Sequence, residues 1–282
     1  MWVQRHSIAV LLCGLLAVGL GELKAASVQS YLSTKDQESL KRVFENAISQ
    51  PKDLSALYYG ISGLDLLAAK PPKPEVYCDF ASKKVDVSSP ESIFYAATVG
   101  SKLGCKLAIA NADKTLAAAA AEGASTETLA YVAGAQKALG LKGDNAALLK
   151  AITTAMTKDD SVSSLAYAML GASVVGGNVK PVVDRIEDLV AQADEVDGQF
   201  MHYEGGLSIT ARAIASIFTL AEKMNSTAPM KKEECVKFAN YLVSRKGVQL
   251  PRPAYYLVVA LKSLINNKVL FIYRRTKTIT NT

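Results

Sequence analysis

Four tyrosines, Tyr59, Tyr95, Tyr131 and Tyr167, recur at intervals of 36 residues, three intervals in succession. Each stands early in a similar segment: SALYYGISGLDLLA from Ser55, ESIFYAATVGSKLG from Glu91, ETLAYVAGAQKALG from Glu127 and SSLAYAMLGASVVG from Ser163. Eight residues beyond each tyrosine comes an aliphatic residue (Leu67, Leu103, Leu139, Val175), and in three copies a glycine follows it, Gly104, Gly140 or Gly176. Self-similarity at such a period restricts the fold severely. Each copy has to be one supersecondary unit that meets its neighbours through the same faces.

The unit reads as helical. Ser55, Glu91, Glu127 and Ser163 open the segments, as suits the start of a helix. Apolar and small residues then fill about three turns, and the glycine ends the helix with a left-handed cap. Other helices fall between the copies, at Asp144 to Met156 and at Val179 to Val196, the latter with Val183, Ile186, Val190 and Ala193 at helical spacing. Leu207 to Lys223 and Pro253 to Asn267 read as later copies at looser spacing, and Glu233 to Ser244 as one more helix. Two helices and two short turns cannot bury an apolar face alone, so the copies must stack. The expected fold is all-α, with repeated helical hairpins of period 36 forming an α/α toroid or an α-solenoid. Tyr59, Tyr95, Tyr131 and Tyr167 are expected in the repeat core, each ring packed and each hydroxyl bonded to a neighbouring turn, with a ligand-binding stripe as the alternative. Lys70-Pro71-Pro72-Lys73-Pro74 reads as an exposed connection, and Asp197-Gly198 and Gly205-Gly206 bracket a loop holding Phe200, His202 and Tyr203.

The ends differ from this body. Residues 1–26 have the layout of a secretory signal: Arg5, an uncharged, largely apolar run of 13 residues from Ile8 to Leu20, then small residues at Gly21, Ala25 and Ala26, with cleavage expected between 21 and 26. The run is too short for a bilayer core of about 30 Å. The body, 27–267, is expected to be a luminal helical-repeat domain, and 268–282 an atypical basic tail. The net charge of +6 belongs largely to the ends. With Arg5, Lys24 and Glu22 set aside at one end and Lys268, Arg274, Arg275 and Lys277 at the other, 26 bases face 25 acids. No nucleic-acid partner is expected from such a balance. Asn225-Ser226-Thr227 is an N-glycosylation sequon in a polar break. Once Cys13 leaves with the signal, Cys78 with Cys105 is the natural disulfide in an oxidising lumen, three unbonded cysteines being the alternative, and Cys235 is left as a buried thiol.

Catalytic patterns are missing from the sequence. It contains no GxxxxGK[ST], GxGxxG, HExxH, GxSxG or CxxC, and its only histidines are His6 and His202. A toroid enzyme of terpene-cyclase type needs an Asp-rich or zinc-binding motif. The nearest groups are Asp159-Asp160, then Asp184, Glu187 and Asp188 beside Arg185, and both read as solvated surface. His202-Tyr203-Glu204 reads as incidental. No catalytic residue, metal site or cofactor is expected.

Certain words of the sequence resemble the ribophorin II family, the non-catalytic subunit of the oligosaccharyltransferase complex. They are Tyr31-Leu32-Ser33 before the Lys41 helix, Ser92-Ile93-Phe94-Tyr95-Ala96-Ala97, Ile186-Glu187-Asp188-Leu189-Val190-Ala191, Asp194-Glu195 and Glu204-Gly205-Gly206-Leu207. Cys78 and Cys105 also fall where that family has a cysteine pair. The resemblance covers about residues 28–267 and implies the family's luminal helical domain. It also implies other oligosaccharyltransferase subunits, with nascent polypeptides, as partners in the endoplasmic reticulum. Family members continue into β-rich domains and transmembrane helices, which Val269 to Thr282 does not resemble, so a truncated chain without the anchor is expected. A luminal toroid enzyme or carrier for a lipid or isoprenoid is the rival reading.

Overall fold

The computed structural model describes residues 32–121, 123–224 and 229–266. The expected signal segment, the Asn225 sequon and the tail 268–282 lie outside these residues. The helices in chain order are α1 (Thr34–Ser49), α2 (Leu54–Leu66), α3 (Pro74–Lys84), α4 (Pro90–Leu103), α5 (Ala112–Ala119), α6 (Thr126–Leu139), α7 (Asn145–Lys158), α8 (Val162–Val175), α9 (Lys180–Val183), α10 (Ile186–Ala191), α11 (Leu207–Lys223), α12 (Lys232–Ser244) and α13 (Pro251–Asn266). Between α10 and α11 a small antiparallel hairpin pairs β1 (Asp194–Val196) with β2 (Phe200–His202). The fold is all-α, as expected. Among the described residues, no helix is long and apolar enough to cross a membrane.

The repeat sets the helix starts, but two residues earlier than the expected opening residues. Asp53, Ser89, Ser125 and Ser161, themselves 36 apart, are the N-caps. Their side-chain oxygens accept from the amides of Ala56, Ser92, Thr128 and Ser164 at 2.7 to 3.3 Å. Each cap satisfies one of the amides that a helix start leaves unpaired. Ser55, Glu91, Glu127 and Ser163 are therefore second residues of their helices. At the other end Gly104 and Gly140 take the left-handed cap conformation, whereas Gly176 has a positive φ but an extended ψ of −155°.

The helices divide into two kinds. In α8 every residue from Ser164 to Met169 is buried, so this helix has neighbours all round. In α7 only Leu148, Ile152 and Met156 are buried, one stripe at helical spacing. Contacts follow the same division. α2 packs on α4, α4 on α6, α6 on α8, α8 on α11 and α11 on α13, and α13 packs back on α2. The other helices pack against this inner series from outside: α1 on α2, α3 on α4, α5 on α6, α7 on α8 and α12 on α13. Glycines permit the closest approaches. A Cβ at Gly63 would lie 2.4 Å from the Phe44 ring, and one at Gly134 would lie 2.6 Å from the Phe94 ring.

One expected helix is divided. Val179 to Val196 forms α9, α10 and β1 in place of a single element. The chain tightens between α9 and α10, where the Arg185 amide bonds back to Val182 O. That shift turns Val182, Ile186, Leu189 and Val190 towards the core in place of the Val183 and Ala193 positions. Beyond α10, Asp197 and Gly198 both adopt positive φ (53° and 66°) and reverse the chain, pairing Val196 with Phe200. An Asp-Gly pair is suited to that turn because both residues tolerate the left-handed region.

Candidate functional site

The sixth residue of every inner helix points to one central layer. These residues are Tyr59 in α2, Tyr95 in α4, Tyr131 in α6, Tyr167 in α8, Arg212 in α11 and Tyr256 in α13. Equivalent positions at one level place the six helices in the same direction, with their N-termini at one end. Going round the layer, the hydroxyls of Tyr59 and Tyr95 are 3.3 Å apart, those of Tyr95 and Tyr131 3.4 Å, and those of Tyr131 and Tyr167 3.3 Å. Arg212 Nη1 donates to the Tyr167 hydroxyl at 2.7 Å, and the Tyr256 and Tyr59 hydroxyls lie 3.4 Å apart. The guanidinium of Arg212 also sits over the Tyr167 ring, 4.1 Å from its centroid.

All six side chains are less than a tenth exposed. Around them Tyr58 stacks on Tyr95 at 4.6 Å, and Tyr255 leans on Tyr59 at 5.5 Å. The interior at this level is filled by aromatic rings. Burial pushes the phenols of Tyr59, Tyr95, Tyr131 and Tyr167 well above the ordinary value, because ionisation would place a charge in a low-dielectric interior.

One turn nearer the N-terminal end lies a half-buried rim made by the second residue of each inner helix: Ser55, Glu91, Glu127, Ser163, Ser208 and Arg252. Glu91 accepts from Tyr95 at 2.6 Å and from Tyr131 at 3.0 Å, and Glu127 accepts from Tyr131 at 3.4 Å. Arg212 Nη2 donates to Ser163 Oγ at 2.9 Å, and Arg252 Nη2 reaches the Tyr167 hydroxyl at 3.5 Å. The rim is acidic along α4 and α6 and basic where α11 and α13 meet α8.

The four repeat tyrosines thus come together, and Arg212 and Tyr256 join them without having been expected. Their spacings of 45 and 44 residues break the period. The available signal was position within the helix, since each is the sixth residue of its element.

The other expected residues lie apart from this layer. Cys78 in α3 and Cys105 after α4 form a disulfide, with Cα atoms 6.2 Å apart. Cys235 is buried in α12, and burial, then the neighbouring Glu234, push its thiol up to about 12. Asp159 and Asp160 are exposed, and Asp159 accepts from the Ser161 amide. Asp184 pairs with Lys180 and Asp188 with Arg185 on the surface. His202 stacks on Tyr241 at 5.0 Å. Among the described residues, no three His, Cys, Asp or Glu side chains are grouped to hold a metal. A groove of about 440 Å3, lined by several alanines with Lys150, Lys158 and Asp159, lies between the end of α5, α7 and the starts of α6 and α8.

Comparison with known proteins adds the family assignment. Residues 32–265 match the family model of the ribophorin II N-terminal domain.

Proposed function

The chain belongs to the ribophorin II family, and on that basis we propose that it acts as a non-catalytic accessory subunit of the oligosaccharyltransferase complex. In this role it supports transfer of a lipid-linked oligosaccharide to Asn-x-Ser/Thr of nascent proteins in the endoplasmic reticulum. The observation that carries the non-catalytic part is the filled centre of the helical series. The tyrosine hydroxyls are spent on one another and on carboxylates, and aromatic rings occupy the level that an apolar chain would need. This packing also counts against the lipid or isoprenoid carrier. A rigid series of helices instead offers a fixed outer surface to other subunits and incoming chains.

Two local features support the compartment. The Cys78–Cys105 disulfide suits an oxidising lumen, and the Asn225 sequon makes the chain a client of the same reaction. The test is co-purification. A tag placed in the exposed Lys70–Lys73 connection, followed by mild solubilisation of microsomes, should bring down other oligosaccharyltransferase subunits. Recovery of the glycosylated chain without those subunits would refute the role in the complex. Glycosyl transfer by the purified chain alone would refute the non-catalytic reading.

A further inference from the structure

The basic half of the rim remains unexplained by the family role. Arg212 is 5% exposed, and its Nε has no hydrogen-bond partner. Among the described residues neither Arg212 nor Arg252 forms an ion pair with a carboxylate. Arg212 donates to Tyr167 and Ser163, both neutral, and Arg252 only to Tyr167. A buried guanidinium without an opposing charge is unfavourable, and a second guanidinium close by adds repulsion. Both arginines reach one oxygen, the Tyr167 hydroxyl, at 2.7 and 3.5 Å, so those two nitrogens lie no more than about 6.2 Å apart.

The backbone at this side has the same sign. α11 begins after Gly205 and Gly206, both at positive φ, and its N-cap supplies no side chain to accept from the first-turn amides. Asp53, Ser89, Ser125 and Ser161 do supply one at α2, α4, α6 and α8. Neither α11 nor α13 carries an acid in its first turn, where α4 and α6 carry Glu91 and Glu127. The positive ends of these two helices are therefore not offset locally.

We propose that the basic side of the layer and its rim, formed by Arg212, Arg252 and the start of α11, binds a small oxyanion of the phosphate or carboxylate class. An oxyanion seated beside the Tyr167 hydroxyl would take a donor from each guanidinium at charge-assisted distances. Solvent reaches the site because Arg252, Ser163 and Ser208 are only half-buried. Glu127 bonds to Tyr131 and also to Tyr167, the tyrosine that both arginines share, so its carboxylate limits the affinity and confines the anion to the α11 and α13 side. The proposal stands on the arginines alone and does not depend on the role in the complex.

The full 282-residue chain is melted in sodium phosphate, sodium acetate and sodium chloride at matched ionic strength and pH 7. The melting temperature should rise with phosphate or acetate relative to chloride, and titration should show saturation. Phosphate alone identifies a tetrahedral ligand, and acetate alone a carboxylate. Arg252→Gln should weaken the apparent affinity at least tenfold, and Arg252→Lys should weaken it less. Glu127→Gln removes an opposing charge and leaves every donor in place, so it should tighten binding even if the Arg252 variants prove unstable. Equal melting temperatures in all three salts would overturn the proposal. So would unchanged anion affinity in both Arg252→Gln and Glu127→Gln.

Discussion

Tyr95→Phe removes a single hydroxyl from the centre of the hydrogen-bonded layer. That hydroxyl donates to Glu91 at 2.6 Å and faces Tyr59 and Tyr131 at 3.3 and 3.4 Å. The substitution leaves no cavity, and the remaining groups keep partners. Tyr59 retains Tyr256, Tyr131 retains Tyr167, and Glu91 retains Tyr131. The loss is therefore chiefly one charge-assisted bond inside a low-dielectric layer, about 1.5–3 kcal/mol. In a domain of this size that corresponds to a fall in Tm of roughly 3–12 °C. Urea denaturation followed by circular dichroism measures it, with an unchanged m-value showing that only native stability moved. Tyr77→Phe is the control, since Tyr77 is buried but makes no hydrogen bond among the described residues. If the two variants lie within about 0.5 kcal/mol of each other, the layer is packing alone and the energetic argument is wrong.

Three further outcomes are expected. Gly63→Ala should destabilise by about 1–3 kcal/mol, because its Cβ would lie 2.4 Å from the buried Phe44 ring, and Phe44→Leu in the same chain should restore part of the loss, both read from urea midpoints. Replacing Cys78 and Cys105 by serine opens a crosslink between residues 27 apart in sequence and should cost about 3–4 kcal/mol by the same assay. Stability should also fall as pH rises above about 10, where tyrosines of the unfolded chain ionise. The buried phenols have raised values, so above that pH the unfolded state binds fewer protons than the folded state and the slope of stability with pH is negative. Their contribution is complete below pH 10, and Tyr95→Phe should flatten the alkaline fall of denaturation midpoints measured from pH 8 to 11.

The 36-residue interval by itself determines a good deal. It places four tyrosines at equivalent positions, puts helix ends at Gly104 and Gly140, and requires stacking of copies. The same interval also carries the caps Asp53, Ser89, Ser125 and Ser161, which stand two places before the residues that the repeat segments open on. Such features are local: a cap bonds three residues ahead, and a repeat needs only equal spacing. Periodicity was less useful at Val179 to Val196, where tightening at Arg185 and an Asp-Gly turn interrupted an apparently continuous helix. What only the tertiary structure decided is how the series ends. Packing of α13 on α2 brings Tyr256 within 3.4 Å of Tyr59 across 197 residues, and it sets Arg212 in the place where a sixth tyrosine would stand. That outcome depends on small rotations accumulated over several helical hairpins, and no single segment of the sequence encodes their sum.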